Sequence, residues 1–138
     1  MRKVLLLSFS LMTFYACDLC TPKLILINNT EDFIYYQLET DTVPYVLERY
    51  DLNAQFYLLY PHDTAKPFFR RGGEGAWVYN INKYATDSAL HIIIFPTDKI
   101  TEEIIKNREY VRLSYKVKEL DSMNWTVVYR GEKPNLKE

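Results

Sequence analysis

The sequence predicts a mainly β chain folded as a two-sheet β-sandwich. Three observations lead there. Twelve tyrosines, seven phenylalanines and two tryptophans supply residues that pack well on pleated sheets. Short apolar or alternating runs recur, with turn-forming residues between them. One stretch only carries the spacing of a helix, so one short helix is expected, in a connection. Immunoglobulin-like strand order is the first expectation, although no Cys–Trp–Cys framework supports it.

Lys23-Leu24-Ile25-Leu26-Ile27 reads as the first strand, stopped by the turn cluster Asn28-Asn29-Thr30. Phe33 to Leu38 is the second, apolar on both faces and so expected to be covered on both sides. Glu39 to Asp51 is polar, holds Pro44, and reads as a connection with an extended piece at Tyr45-Val46-Leu47. Asn53 to Tyr60 is β-like, residues 62–67 a loop, and Phe68-Phe69-Arg70 a short edge strand. Arg70 to Gly75 holds three of the four glycines, so it must bend sharply or stay mobile. Order resumes at Trp77 to Ile81. Ala89 to Phe95, closed by Pro96, is the strongest strand and fits a buried central position.

The helix is expected near Thr101 to Arg108. Thr97 or Asp98 can cap it, Glu102 and Glu103 suit the positive end of the helix dipole, and Ile100, Ile104 and Ile105 share a face. Tyr110 to Lys118 alternates cleanly and reads as a half-buried strand. Glu119 to Asn124 is a turn or single helical turn, and Trp125 to Tyr129 a last strand paired with the one before it.

Ahead of the fold lies a different kind of segment. Arg2 and Lys3 precede an apolar run from Val4 to Tyr15, and small Ala16 stands directly before Cys17. The run is about twelve residues, short for a permanent membrane span and typical of a secretion signal. Phe14-Tyr15-Ala16-Cys17 resembles a bacterial lipobox, with Tyr15 bulkier than usual for its position. The resemblance implies acylation of the Cys17 thiol and cleavage before it. The expected division is then a signal peptide at 1–16, a lipidated tether at 17–22, a β-sandwich domain at 23–131 and a polar tail at 132–138. Cleavage leaves 15 basic against 18 acidic side chains, which provides no basic face for nucleic acid and no pull towards anionic lipid. Attachment would rest on the acyl chains. Cys20 then lacks a partner, and the Cys17-Asp18-Leu19-Cys20 spacing straddles the cleavage site rather than opening a helix, so redox chemistry is not expected.

Further along, the Asn28-Asn29-Thr30 turn, Ile34-Tyr35-Tyr36, Leu90-His91-Ile92, Leu120 and Asn124-Trp125-Thr126 resemble features of small envelope lipoproteins of unknown function from Bacteroidota. That resemblance implies an outer-membrane location and no catalytic residues. The short acidic patch common after the lipidated cysteine of surface-exported members is reduced to Asp18, so periplasmic and outward-facing placements both stay open.

Chemistry-bearing constellations are few. His62 lies in a loop and His91 in the buried strand, where a satisfied core histidine is the plainer reading; no metal site and no cofactor are expected. A Ser–His–Asp triad would need Ser88, Ser114 or Ser122, none in a nucleophile-elbow context. Glu102 and Glu103 are consecutive on a helix and point apart. Arg70 and Arg71 beside the glycines offer forks for an anionic ligand, although a solvated loop explains them as well. Tyr35-Tyr36, Tyr57-Tyr60, Phe68-Phe69 and Trp77-Tyr79 offer an aromatic platform for sugar or peptide, set against ordinary core and surface roles. The chain is thus expected to be a non-enzymatic envelope protein that binds or scaffolds a protein or glycan, with a small hydrolase or hydrolase inhibitor as the alternative.

Four of the eight aspartates open one pattern: Asp41-Thr42-Val43, Asp63-Thr64-Ala65, Asp87-Ser88-Ala89 and Asp121-Ser122-Met123. It resembles the O-glycosylation motif of Bacteroidota envelope proteins and marks Thr42, Thr64, Ser88 and Ser122 as acceptors. The plainer reading is that Asp-Ser and Asp-Thr favour turns, where the carboxylate bonds its own backbone.

Cys17→Ala is expected to abolish membrane fractionation, because stable attachment needs more than one acyl chain and both chains depend on that residue. Intact mass checks this: lipid should be present on the native N-terminal peptide and absent from the variant. Native mass should also fall when Thr42, Thr64, Ser88 and Ser122 are changed to Ala by more than the four substitutions account for. An unmodified native mass rules out both modifications.

Overall fold

The computed structural model describes residues 23–67 and 75–133. Cys17, Cys20, Phe68, Phe69, Arg70, Arg71, Gly72 and Gly73 lie outside the described residues. Among the described residues seven strands form two sheets. β1 (Ile25–Asn28), β4 (Thr64–Ala65) and β7 (Thr126–Tyr129) make a three-stranded sheet in the order β4-β1-β7. β2 (Ile34–Glu39), β3 (Tyr57–Leu59), β5 (Ala89–Phe95) and β6 (Val111–Lys116) make a four-stranded sheet in the order β3-β2-β5-β6. The protein is a two-sheet β-sandwich, as its sequence predicts.

The strand order is not immunoglobulin-like. β1 pairs in parallel with β7, while β2, its neighbour in sequence, belongs to the other sheet. β7 does not pair with β6 as expected. A helix, α3 (Val117–Ser122), intervenes and carries the chain across to the other sheet. The alternation read through Lys118 stops at Lys116, because the Glu119 carboxylate accepts the Lys116 backbone N–H at 2.6 Å and starts this helix. α3 ends in a Schellman motif: Trp125 N–H donates to Leu120 C=O at 2.7 Å and Asn124 N–H to Asp121 C=O at 3.1 Å. Asn124 takes the left-handed conformation the motif requires (φ 52°), and Trp125 follows it at φ 55°.

Two more α-helices lie among the described residues. α2 (Glu102–Lys106) lies where the sequence placed a helix, but its cap is Thr101, whose Oγ1 accepts from Ile104 N–H. Thr97 instead closes a small turn onto Lys99. α1 (Ala76–Tyr84) is a helix that the sequence pattern does not announce. Its Trp77, Ile81 and Ala85 are spaced four apart and buried together, a helical stripe easily overlooked beside β-favouring Trp, Val and Tyr. The β-like run from Asn53 also divides, into a 3-10 turn at Asn53–Gln55 and then β3.

β5 is buried at all seven positions. Leu90, Ile92 and Ile94 point between the sheets, against Leu24, Leu26, Val127 and Tyr129. Ile93 and Phe95 point the other way, into a second core with Phe56, Ile100 and Tyr110. Val46, Ile104 and Ile105 close that second core from outside. A sheet therefore covers one face of the four-stranded sheet, and the connection through Val46 together with α2 covers the other.

Asn28 ties the two sheets together. It is fully buried at the end of β1, and its Nδ2 donates to the carbonyls of Asp32 (2.8 Å), Tyr60 (3.1 Å) and Leu59 (3.3 Å). Its Oδ1 accepts from the backbone N–H and hydroxyl of Thr30. Asn28→Ala removes all of these bonds at once and leaves the buried Leu59 carbonyl without this donor, so a loss of roughly 2–4 kcal/mol is expected in urea unfolding. A loss under about 0.5 kcal/mol, the range of an ordinary surface substitution, would show that the amide is not the tie described.

Candidate functional site

The outer face of the four-stranded sheet holds the chemistry. Strand register sets Glu39 opposite His91 and His91 opposite Ser114, so the three form one row across β2, β5 and β6. The next row sets Gln37, Ile93 and Arg112 side by side. His91 is 1% exposed, and both ring nitrogens are engaged. Nε2 lies 3.2 Å from Asp87 Oδ1 and Nδ1 lies 2.9 Å from Ser114 Oγ. An ionised carboxylate only accepts, so Nε2 donates to Asp87. In the neutral ring Nδ1 is then left to accept the Ser114 hydroxyl proton.

Asp87, His91 and Ser114 thus form the hydrogen-bonded line that the sequence offered no context for. Its chemistry is that of a base withdrawing a proton from a serine, with the carboxylate fixing the ring. Ser114 is exposed, and Arg112 and Lys116 are two residues away on the same face of β6. Arg112 is held by a bond from its guanidinium to Thr42 C=O at 3.2 Å. The line also explains how a histidine sits in an apolar strand: every polar atom it buries has a partner. Glu39, at the end of the row, has its carboxyl pushed up by burial; a bond from the Tyr45 backbone opposes this and Asp41 adds to it.

Apolar exposure gathers elsewhere. Among the described residues nine large hydrophobic side chains are exposed, and seven lie between positions 43 and 60: Val43, Tyr45, Leu47, Tyr50, Tyr57, Leu58 and Tyr60. The four tyrosines of this group are each at least 60% exposed. The predicted platform is therefore partly relocated. Tyr57, Tyr60 and Tyr79 are exposed, but Tyr36 and Trp77 are core residues and Tyr35 packs on the second core. Tyr45, Leu47 and Tyr50 were passed over; their signal was apolar side chains within an otherwise polar connection.

Two glutamines hold that connection. Gln37 exchanges a pair of bonds with Tyr45, Nε2 to C=O at 2.9 Å and N–H to Oε1 at 3.1 Å. Gln55 does the same with Leu47, at 3.0 and 2.6 Å, and its Nε2 also reaches the carbonyls of Tyr50 and Asp51. Each amide stands in for a neighbouring strand. Tyr45 and Leu47 are held facing solvent while Val46 packs on the second core.

Between this connection and α2 lies an open groove of about 560 Å³, lined by Val46, Leu47, Glu48, Tyr50, Leu52, Glu102, Ile105 and Lys106. Asn53 fixes its two walls relative to each other, its Oδ1 accepting from Ile100 N–H at 2.9 Å.

The four candidate acceptors are spread over the surface. Thr64, Ser88 and Ser122 are exposed and Thr42 is half-buried. Thr42, Ser88 and Ser122 lie between strands, Ser122 at the end of α3, and Thr64 opens β4. Each aspartate of the pattern has a structural bond: Asp41 to Thr42 N–H, Asp63 to Thr64 N–H, Asp87 to Ala89 N–H, and Asp121 from the Trp125 indole. His62 is paired with exposed Glu31, at 3.3 Å. Among the described residues no group of three His, Cys, Asp or Glu side chains could hold a metal, and no helix is long and apolar enough to cross a membrane.

The raised carboxyl of Glu39 has a stability consequence. The folded state holds its proton more tightly than the unfolded state, so this group opposes folding above its ordinary value of 4.5 and ceases to do so as pH falls towards it. Glu39→Gln should raise the melting temperature at pH 7, with the gain over the parent shrinking as pH approaches 4.5. A gain that grows on acidification would contradict the assignment.

Comparison with protein-family models, with curated proteins and with solved structures found no match to this chain.

Proposed function

We propose that this chain is a lipid-anchored, non-enzymatic module of the bacterial outer-membrane envelope, held through Cys17, that binds a protein or glycan partner through the surface formed by residues 43–60. The observation that carries it is the concentration of seven exposed large hydrophobics in that one stretch. Scattered apolar side chains are ordinary on a surface, whereas several on one short connection, here Val43, Tyr45, Leu47 and Tyr50, mark a contact face. Exposed tyrosines suit both kinds of partner, because the ring offers a flat apolar face and the hydroxyl a polar tip. Polar side chains maintain the arrangement: Gln37 and Gln55 keep Tyr45 and Leu47 outward when simple collapse would turn them in. Sugar on Thr64, Ser88 or Ser122 is compatible with this role, because these hydroxyls are exposed and lie outside the 43–60 stretch.

A second reading is a small envelope hydrolase, favoured by the Asp87–His91–Ser114 line. One pair of assays separates the two. On the binding reading, Tyr45→Ser with Tyr50→Ser and Tyr57→Ser leaves the melting temperature within a few degrees, yet removes whatever the native protein captures from its own envelope. On the hydrolase reading, a fluorophosphonate probe labels Ser114, and His91→Gln abolishes the labelling. Capture unchanged in the triple variant refutes the binding surface. Labelling of Ser114 refutes the non-enzymatic assignment.

A further inference from the structure

We propose that the groove between residues 46–52 and α2 receives a partner peptide segment carrying an apolar side chain beside a lysine or arginine. This rests on the reading of the chain as a binding module and identifies the chemistry of what is bound.

The groove is built rather than incidental. Val46 and Ile105 form its floor, and both rest on the second core. Gln55 shapes one wall by gathering Leu47, Tyr50 and Asp51 around a single amide, and Asn53 ties that wall to the approach of α2. At about 560 Å³ and open to solvent, the groove has room for an apolar side chain of a passing segment. Leu47, Leu52 and Ile105 offer such a group apolar contact.

Charge decides what accompanies it. The stretches 46–52 and 102–106 carry Glu48, Asp51, Glu102 and Glu103 against Arg49 and Lys106, all exposed, a balance of −2. Glu48 and Glu102 stand on opposite walls of the groove, and Lys106 offsets only one of them. Tyr50 adds an exposed ring face, which attracts a cation directly. An acidic segment is repelled and a neutral one leaves both carboxylates unused. A peptide suits the site better than an isolated small molecule, because exposed Val43 and Tyr45 continue the apolar side chains of the same connection outside the groove.

The test uses the mature lipidated chain in a non-ionic detergent and two acetylated, amidated pentapeptides, Lys-Leu-Lys-Phe-Lys and Glu-Leu-Glu-Phe-Glu. Binding is read by calorimetry, and its place by amide chemical-shift changes at Leu52 and Ile105. The lysine peptide is expected to bind at least tenfold more tightly, with shifts at both residues. Glu48→Gln with Glu102→Gln should weaken it roughly three- to tenfold, as expected for exposed ion pairs, and added salt should do the same. Leu52→Ser should weaken it independently of salt. Equal binding of the two peptides, no binding of either, or shifts confined to Tyr57 and Tyr60 would each overturn the inference. So would self-association of the chain that Leu52→Ser abolishes. None of these outcomes touches the binding-module reading, which is refuted by unchanged capture in the Tyr45, Tyr50 and Tyr57 triple variant or by labelling of Ser114.

Discussion

The structure depends on one strand that is apolar on both faces. Ile92, Ile93, Ile94 and Phe95 are consecutive and fully buried, so the sheet through β5 must be covered twice. Each such side chain contributes roughly 1.5–3 kcal/mol when removed from water, which makes leaving either face open prohibitive for a domain of this size. The two covers differ in kind. A second sheet packs against Leu90, Ile92 and Ile94, and a loop with a five-residue helix packs against Ile93 and Phe95. Regular elements interdigitate closely. An irregular cover held by glutamine amides leaves a groove and turns apolar side chains outward.

The same constraint explains the polar groups inside. His91 interrupts the apolar strand and is tolerated because Asp87 and Ser114 satisfy both nitrogens. Asn28 is tolerated because each of its polar atoms bonds to the chain that turns around it. At the opposite end of β1, Trp125 has a related part. Its indole donates to Asp121, Lys23 lies 4.3 Å above its ring, and its C=O accepts the Ile25 N–H. The Asp121 carboxyl is held below its usual range, first by that indole bond and then by Lys23. Both ends of β1 are therefore pinned by side chains, which allows a four-residue central strand to carry the smaller sheet.

The proposed binding role rests on the less regular cover. The groove lies between residues 46–52 and α2, over the second core, and Tyr45, Leu47 and Tyr50 belong to that connection, whereas Tyr57 stands in β3 against Tyr36, on the side of the first core. The Asp87–His91–Ser114 line lies on the same face of the four-stranded sheet, in a different row of residues. Binding and proton-transfer chemistry are thus both compatible with this face, and they use separate side chains.

The sequence by itself determined the β class, the central place of Ala89 to Phe95, the helix at 102–106 and the burial of Trp125. Those follow from local patterns: an unbroken apolar run, acids at a helix start, alternation beside a turn. Tertiary structure alone decided which strands pair, because the parallel match of β1 with β7 joins residues about a hundred positions apart and leaves no local trace. It also decided that Trp77 and Ile81 lie on a helix, since aromatic and β-branched residues suit either period and packing chose between them. The His91 site was half legible: the histidine stood out, but its partners come from a turn four residues earlier and from another strand 23 residues later. The apolar connection was legible least. Whether Tyr45 and Tyr50 fold in or face out is set by two glutamine amides, and hydrogen bonds between a side chain and a distant backbone have no periodicity to read.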